Sequence, residues 1–248
     1  MKTLLHALVG TAFAAANILA QESTVLVSKD VSLPDVTVVQ NIIKECGLPA
    51  DTPEKIMRLE NSRVVVLDLS NSDLSRDGLT TLPAAIGRLT ELRVLVAKRN
   101  RISSLPPELF KLTKLQRLDL ANNKIASLPS SIGLLENLDT LDLRSNRLDS
   151  LPREIGSLKK LVVLQLWNNK LSRLEPAITQ LPALKELYLT NNRLTDLPDN
   201  IIRMKSLMYI DVDGNKFCNL SQKKVAWIKE KNKEYNKTQK CGWQPPKR

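Results

Sequence analysis

The chain has 248 residues, 42% hydrophobic and 25% charged, with a formal net charge of +11. That balance fits one or two folded domains and excludes a disordered chain. With 44 leucines, only 8 glycines and 4% aromatics, collagen-like, mucin-like and disulfide-scaffold classes are excluded too.

Lys2 opens the sequence, and Leu4 to Ala20 are mostly apolar or small. Ala14 and Ala16 form one A-x-A cleavage pattern, and Ala20 before Gln21 offers a second. Residues 1–20 therefore read as a secretory signal peptide. An uncleaved anchor fits less well, because His6, Gly10 and Asn17 interrupt the run. No other run approaches spanning length, so a polytopic membrane protein is excluded and no span is expected after signal removal. The expected location is secreted, periplasmic or at the cell surface, where disulfides persist. His6 is the sole histidine. Its removal eliminates Ser-His-Asp and Cys-His catalysis and His-ligated metals. With 3 cysteines, a four-thiolate zinc site is also excluded. No catalytic residue, cofactor or metal is expected.

Residues 21–34 read as a linker or an early strand, and 35–62 as a helical N-terminal cap. Asp35 to Cys46 carry Val36, Val39, Ile43 and Cys46 on one face, with Gly47 as the stop. A second short helix is expected after Asp51 or Thr52, with Pro53 in its first turn. Cys46 fits a buried thiol on the cap helix, with a reactive or intermolecular thiol as the alternative.

Residues 63–217 are periodic. Leu92, Leu115, Leu138, Leu161, Leu184 and Leu207 recur every 23 residues. Each begins L-x-x-L-x-L-x-x-N-x-L, as in Leu115, Leu118, Leu120, Asn123 and Ile125. A second half, x-x-L-P-x-x-I-x-x-L, follows. An earlier rung starts at Val64 and carries extra residues near Ser75 to Leu79. Ser72 replaces its Asn, Ala97 replaces a core Leu in the next rung, and Glu175 stands where proline is expected. The L-x-L stretch alternates in and out as a strand does. No rung buries its leucines alone, so the rungs must stack into one core. The Asn column (Asn100 to Asn215) is expected to satisfy backbone groups where the chain leaves each strand.

These motifs resemble the leucine-rich repeat family, in its 23-residue L-P-x-x-I subclass, over about residues 63 to 220. Exported bacterial members look most similar, sharing a short helical N-cap and late paired cysteines. The resemblance implies a single curved α/β solenoid of seven rungs, with a parallel concave sheet and helical caps at both ends. It implies a non-catalytic module that binds a protein on the concave face. Residues 218–248 are expected to form a basic cap with a Cys218–Cys241 disulfide and a helix carrying Val225, Trp227, Ile228 and Tyr235.

Outward strand positions fall in three columns. The first runs from Val66 through Arg117 and Glu186 to Tyr209. The second runs from Asp68 through Asp119, Asp142 and Tyr188 to Asp211. The third includes Lys98, Arg144 and Trp167. Trp167, Tyr188 and Tyr209 lie on a diagonal and are the expected anchors, with Arg144, Arg117 and Lys98 supplying polar contacts. Arg144 stands near enough to Trp167 for a cation–π contact. Asp119 and Asp142 sit side by side. That pairing suggests glycosidase or calcium chemistry, but Asp between strand leucines is common in such repeats and nearby arginines neutralise it.

From Lys216 to Arg248, 10 basic residues face 2 glutamates, so most of the basicity lies in the cap. The alternative function is therefore adhesion to a cell surface or acidic glycan through Lys223, Lys224 and Lys229. No nucleic-acid recognition motif is present. Asn219 and Asn236 begin glycosylation sequons, used only in a eukaryotic secretory pathway.

Overall fold

The computed structural model describes residues 34–48, 56–71 and 78–235. The expected signal sequence, most of the expected 21–34 linker, the helix expected after Asp51, the Ser72 position, Cys241 and Asn236 lie outside them.

Helix α1 (Pro34–Glu45) opens the described chain. Val36, Val39, Ile42 and Ile43 form its buried face. Gly47 ends it at φ +62°, a left-handed conformation that suits glycine. Leu48 N–H donates to the Ile43 carbonyl (3.0 Å) and Gly47 N–H to that of Lys44 (3.2 Å), the paired bonds of a Schellman stop. At the other end the buried Asp35 carboxylate accepts from Arg63 Nε and from Val64 N–H, both at 3.0 Å. The helix is thereby pinned to the first rung. Cys46 is a free, partly buried thiol against the core. Burial first, then Glu45, pushes its pKa up to about 11, so it stays protonated at neutral pH.

Strands β1 (Met57–Glu60), β2 (Arg63–Asp68), β3 (Val94–Val96), β4 (Arg117–Asp119), β5 (Thr140–Asp142), β6 (Val163–Gln165), β7 (Glu186–Tyr188) and β8 (Tyr209–Asp211) form one sheet in sequence order. From β2 to β8 every pairing is parallel. Leu67, Leu95, Leu118, Leu141, Leu164, Leu187 and Ile210 stack in register, all fully buried. This is the seven-rung solenoid that the repeat implies.

Strand β1 was not expected. It pairs antiparallel with β2. Asn61 and Ser62 join the two with φ of +49° and +64°. A two-residue turn with both φ positive matches the twist of the flanking strands. The hairpin covers the sheet edge that the first rung would otherwise leave open.

Opposite the sheet, six short 3-10 helices return the chain: Ala84–Arg88, Pro107–Lys111, Ser130–Leu134, Arg153–Ser157, Pro176–Gln180 and Asp199–Arg203. A proline precedes five of them, fixing extended backbone at the entry. Before the remaining helix stands Glu175, whose carboxylate accepts from Ala177 N–H at 3.4 Å. The departure noted in the sequence is thus absorbed by a side-chain cap. Gly87, Gly133 and Gly156 sit where adjacent helices touch. A Cβ on Gly156 would lie 2.8 Å from the Ala177 carbonyl oxygen.

The Asn column works as expected. Asn123 Nδ2 donates to the carbonyls of Ala97 (2.9 Å) and Leu120 (3.0 Å), and Oδ1 accepts from Ile102 N–H (3.0 Å). Asn100, Asn146, Asn169, Asn192 and Asn215 repeat this donation to two carbonyls. The residue before each, from Arg99 to Gly214, has positive φ.

Helix α2 (Gln222–Lys231) closes the far end, capped by the Ser221 hydroxyl. Trp227, Ile228 and Tyr235 are buried. Among the described residues no helix is long and apolar enough to cross a membrane.

Candidate functional site

Strand alternation sends one side-chain set into the core and the other onto the open face of the sheet. Register puts Tyr209 beside Glu186, and Tyr188 beside Asp211. The two tyrosine rings lie on neighbouring strands with centroids 5.3 Å apart and planes tilted 48°. Tyr188 Oη donates to Glu186 Oε2 at 2.9 Å, so the ring is held in place. Burial, then Glu186, raises the Tyr188 pKa well above the usual phenol range. Burial and Asp211 push that of Tyr209 up to about 12. Both phenols therefore stay neutral donors in any physiological medium.

Trp167 follows β6 and is half-buried. The Arg144 guanidinium carbon lies 5.5 Å from its ring centroid. Arg144 Nε also pairs with Asp142 Oδ2 at 3.2 Å. The arginine is thus gripped from two sides. Arg117 stands 3.7 Å from Asp119 Oδ2. Lys98, after β3, occupies the same face but is joined to none of these groups by a described ion pair. The expected six residues fall into two groups here, the tyrosine pair and the Arg144–Trp167 pair, with Arg117 and Lys98 farther along the sheet.

The aspartate column has a structural task. Oδ1 of Asp68, Asp119, Asp142 and Asp211 each accepts the backbone N–H two residues on, at 2.9 to 3.3 Å. Those bonds close the turn out of each strand. Asp119 and Asp142 are buried. Desolvation, then Asp119, raises the Asp142 pKa to about 6, against the opposing pull of Arg144 and Arg117. This perturbation was not legible in the sequence, where Asp142 looks like its neighbours. Among the described residues no group of three or more His, Cys, Asp or Glu could hold a metal ion.

The basic cap needs a correction. Lys223 and Lys229 are exposed, but Lys224 is buried. Its ammonium meets Asp196 Oδ1 at 2.8 Å, Asp199 Oδ1 at 2.9 Å and the Leu197 carbonyl. Burial lowers its pKa, but the two carboxylates outweigh that and the net shift is upward. Lys224 fastens the cap helix to the last rung and is not available to an outside anion.

Residues 52–147 match the profile of a leucine-rich repeat region, and 137–158 and 159–217 match leucine-rich repeat profiles. The chain belongs to the leucine-rich repeat family. Among solved structures it resembles a leucine-rich repeat protein of Leptospira interrogans, at 43% identity over 66% of this chain and 41% of that one, with a TM-score of 0.60. It therefore spans less than half of that relative's length. The plant peptide hormone receptor RGFR1, solved in complex with RGF2, is 28% identical over 70% of this chain and 31% of its own, at TM-score 0.58. A plant ice-binding protein matches at 21% identity, 77% and 66% coverage and TM-score 0.66, which speaks for the repeat fold alone. No curated protein sequence matches.

Proposed function

We propose that this leucine-rich repeat chain is an exported, non-catalytic module that binds a protein partner on the open face of its sheet. The observation that carries this reading is the aromatic set Trp167, Tyr188 and Tyr209. These side chains point away from a core that is already complete, and tyrosine, tryptophan and arginine dominate interface hot spots. Arg144 on Trp167 and Glu186 on Tyr188 hold the rings before any partner arrives, which lowers the ordering cost of binding. The peptide hormone receptor among the similar structures is consistent with such a use. Arg117 and Lys98 extend the surface toward the N-terminal rungs.

Export rests on the signal-like residues 1–20, and a Cys218–Cys241 disulfide on the C-terminal cap belongs to the same reading. The test is a comparative pull-down from the native extracellular fraction, using wild type and the Trp167→Ala, Tyr188→Ala, Tyr209→Ala triple variant. A partner retained at high salt by wild type and lost by the triple variant supports the proposal. A partner retained by both overturns it.

A further inference from the structure

A second surface lies along the edge of the solenoid, where the chain turns out of each strand. The residue after each ladder asparagine is basic: Arg101, Lys124, Arg147, Lys170, Arg193 and Lys216. All are exposed. Arg101 has a partner of its own. The ion pairs among the described residues use other cations than the remaining five. The backbone N–H of each of these five donates to the preceding rung, at 2.8 to 2.9 Å. The backbone beneath the column is therefore fixed, and it carries one cationic side chain per rung at a step of about 4.8 Å.

We propose that this ladder binds a linear acidic polysaccharide lying along the solenoid axis. A single file of evenly spaced cations fits an extended chain with one anionic group per sugar. A membrane surface would call for a two-dimensional patch instead. Single-stranded nucleic acid would call for exposed aromatic platforms beside the cations, and the one aromatic next to a ladder residue, Phe217, is buried in the core. Two positions before the ladder residues stand Arg99, Asn122, Ser145, Asn168, Asn191 and Gly214, and two positions after come residues that include Ser172 and Thr195. Amides and hydroxyls there suit sugar hydroxyls. Asp149 is the one carboxylate two positions after a ladder residue, and it already accepts from the Ser150 hydroxyl at 2.7 Å.

The test uses the full chain and purified polygalacturonate, with a carboxylate on every sugar, and hyaluronate, with one on every second sugar. The ladder variant replaces Lys124, Arg147, Lys170, Arg193 and Lys216 with Gln. A charge-matched control replaces Arg88, Lys111, Lys185, Arg203 and Lys205, all exposed, with Gln. The ladder variant is expected to bind polygalacturonate about a hundred-fold more weakly at low salt, with the control near wild type and hyaluronate weaker than polygalacturonate. Equal losses in both variants would reduce the effect to bulk charge and overturn the proposal. So would equal affinity for the two polymers, tighter binding of poly(dT) or phosphatidylserine vesicles, or no binding at all. The single Lys170→Glu variant repeats the comparison should the quintuple variant melt below the wild type.

Discussion

Lys224 in the C-terminal helix reaches Asp199, at the start of the last 3-10 helix, with an Nζ–Oδ1 distance of 2.9 Å. Asp196 and the Leu197 carbonyl complete its surroundings. Replacing Lys224 with Met removes these bonds while keeping the buried stem. The expected cost is about 1 to 2 kcal/mol, read as a lower midpoint in urea denaturation. Lys223→Met, on the exposed side of the same helix, should leave the midpoint unchanged.

Asp142 gives the solenoid a pH dependence. Its carboxyl has a pKa raised to about 6 in the folded chain, against 3.8 for the ordinary group. The folded state therefore binds the proton more tightly than the unfolded state. Stability should fall as pH rises from about 4 through 6, since the charged form is the one that burial penalises. Asp142→Asn keeps an acceptor for Arg144 N–H and removes the charge. It should raise the unfolding free energy at pH 7 by about 2 kcal/mol and flatten the slope between pH 4 and 6. A variant that follows the wild-type profile would show that the carboxyl ionises without cost.

Asn146 satisfies Ile125 N–H and the carbonyls of Leu120 and Leu143. Asn146→Ala leaves all three without that side chain in a buried turn. A loss of about 3 kcal/mol is expected from urea denaturation. Asn122→Ala, one residue before the equivalent Asn123 and exposed, should cost far less and serves as the comparison.

Gly156→Ala tests the packing of the opposite face. The added methyl would meet the Ala177 carbonyl oxygen at 2.8 Å and Ala177 Cβ at 3.0 Å. Since backbone must shift, about 1 to 3 kcal/mol is expected. A melting temperature equal to wild type would mean that the two helices can move apart freely.

The rungs were legible because each one states the same pattern, and register follows once the columns are written down. The open-face columns, the asparagine ladder and the Arg144–Trp167 contact follow from that register. Strand β1 was not legible. Met57 to Glu60 is short, and its only signal is the Asn61-Ser62 turn, which needs positive φ at both positions. The burial of Lys224 was hidden for a different reason. Its acceptors lie on the preceding rung, so a helix read by itself shows only another lysine. The raised Asp142 pKa likewise depends on desolvation by neighbours that sequence spacing does not reveal.

The β1–β2 hairpin has one more effect. Parallel stacking can be continued only by a strand of the same direction, and β1 runs the opposite way. Above β2 the array is therefore terminated, whatever the repeat's capacity for growth. Below it each junction is interchangeable. A whole 23-residue unit inserted or removed between Leu92 and Asn215 would preserve every hydrogen-bonded column. Overall reach can thus be lengthened or shortened in steps of one strand spacing, about 4.8 Å, without redesigning either end.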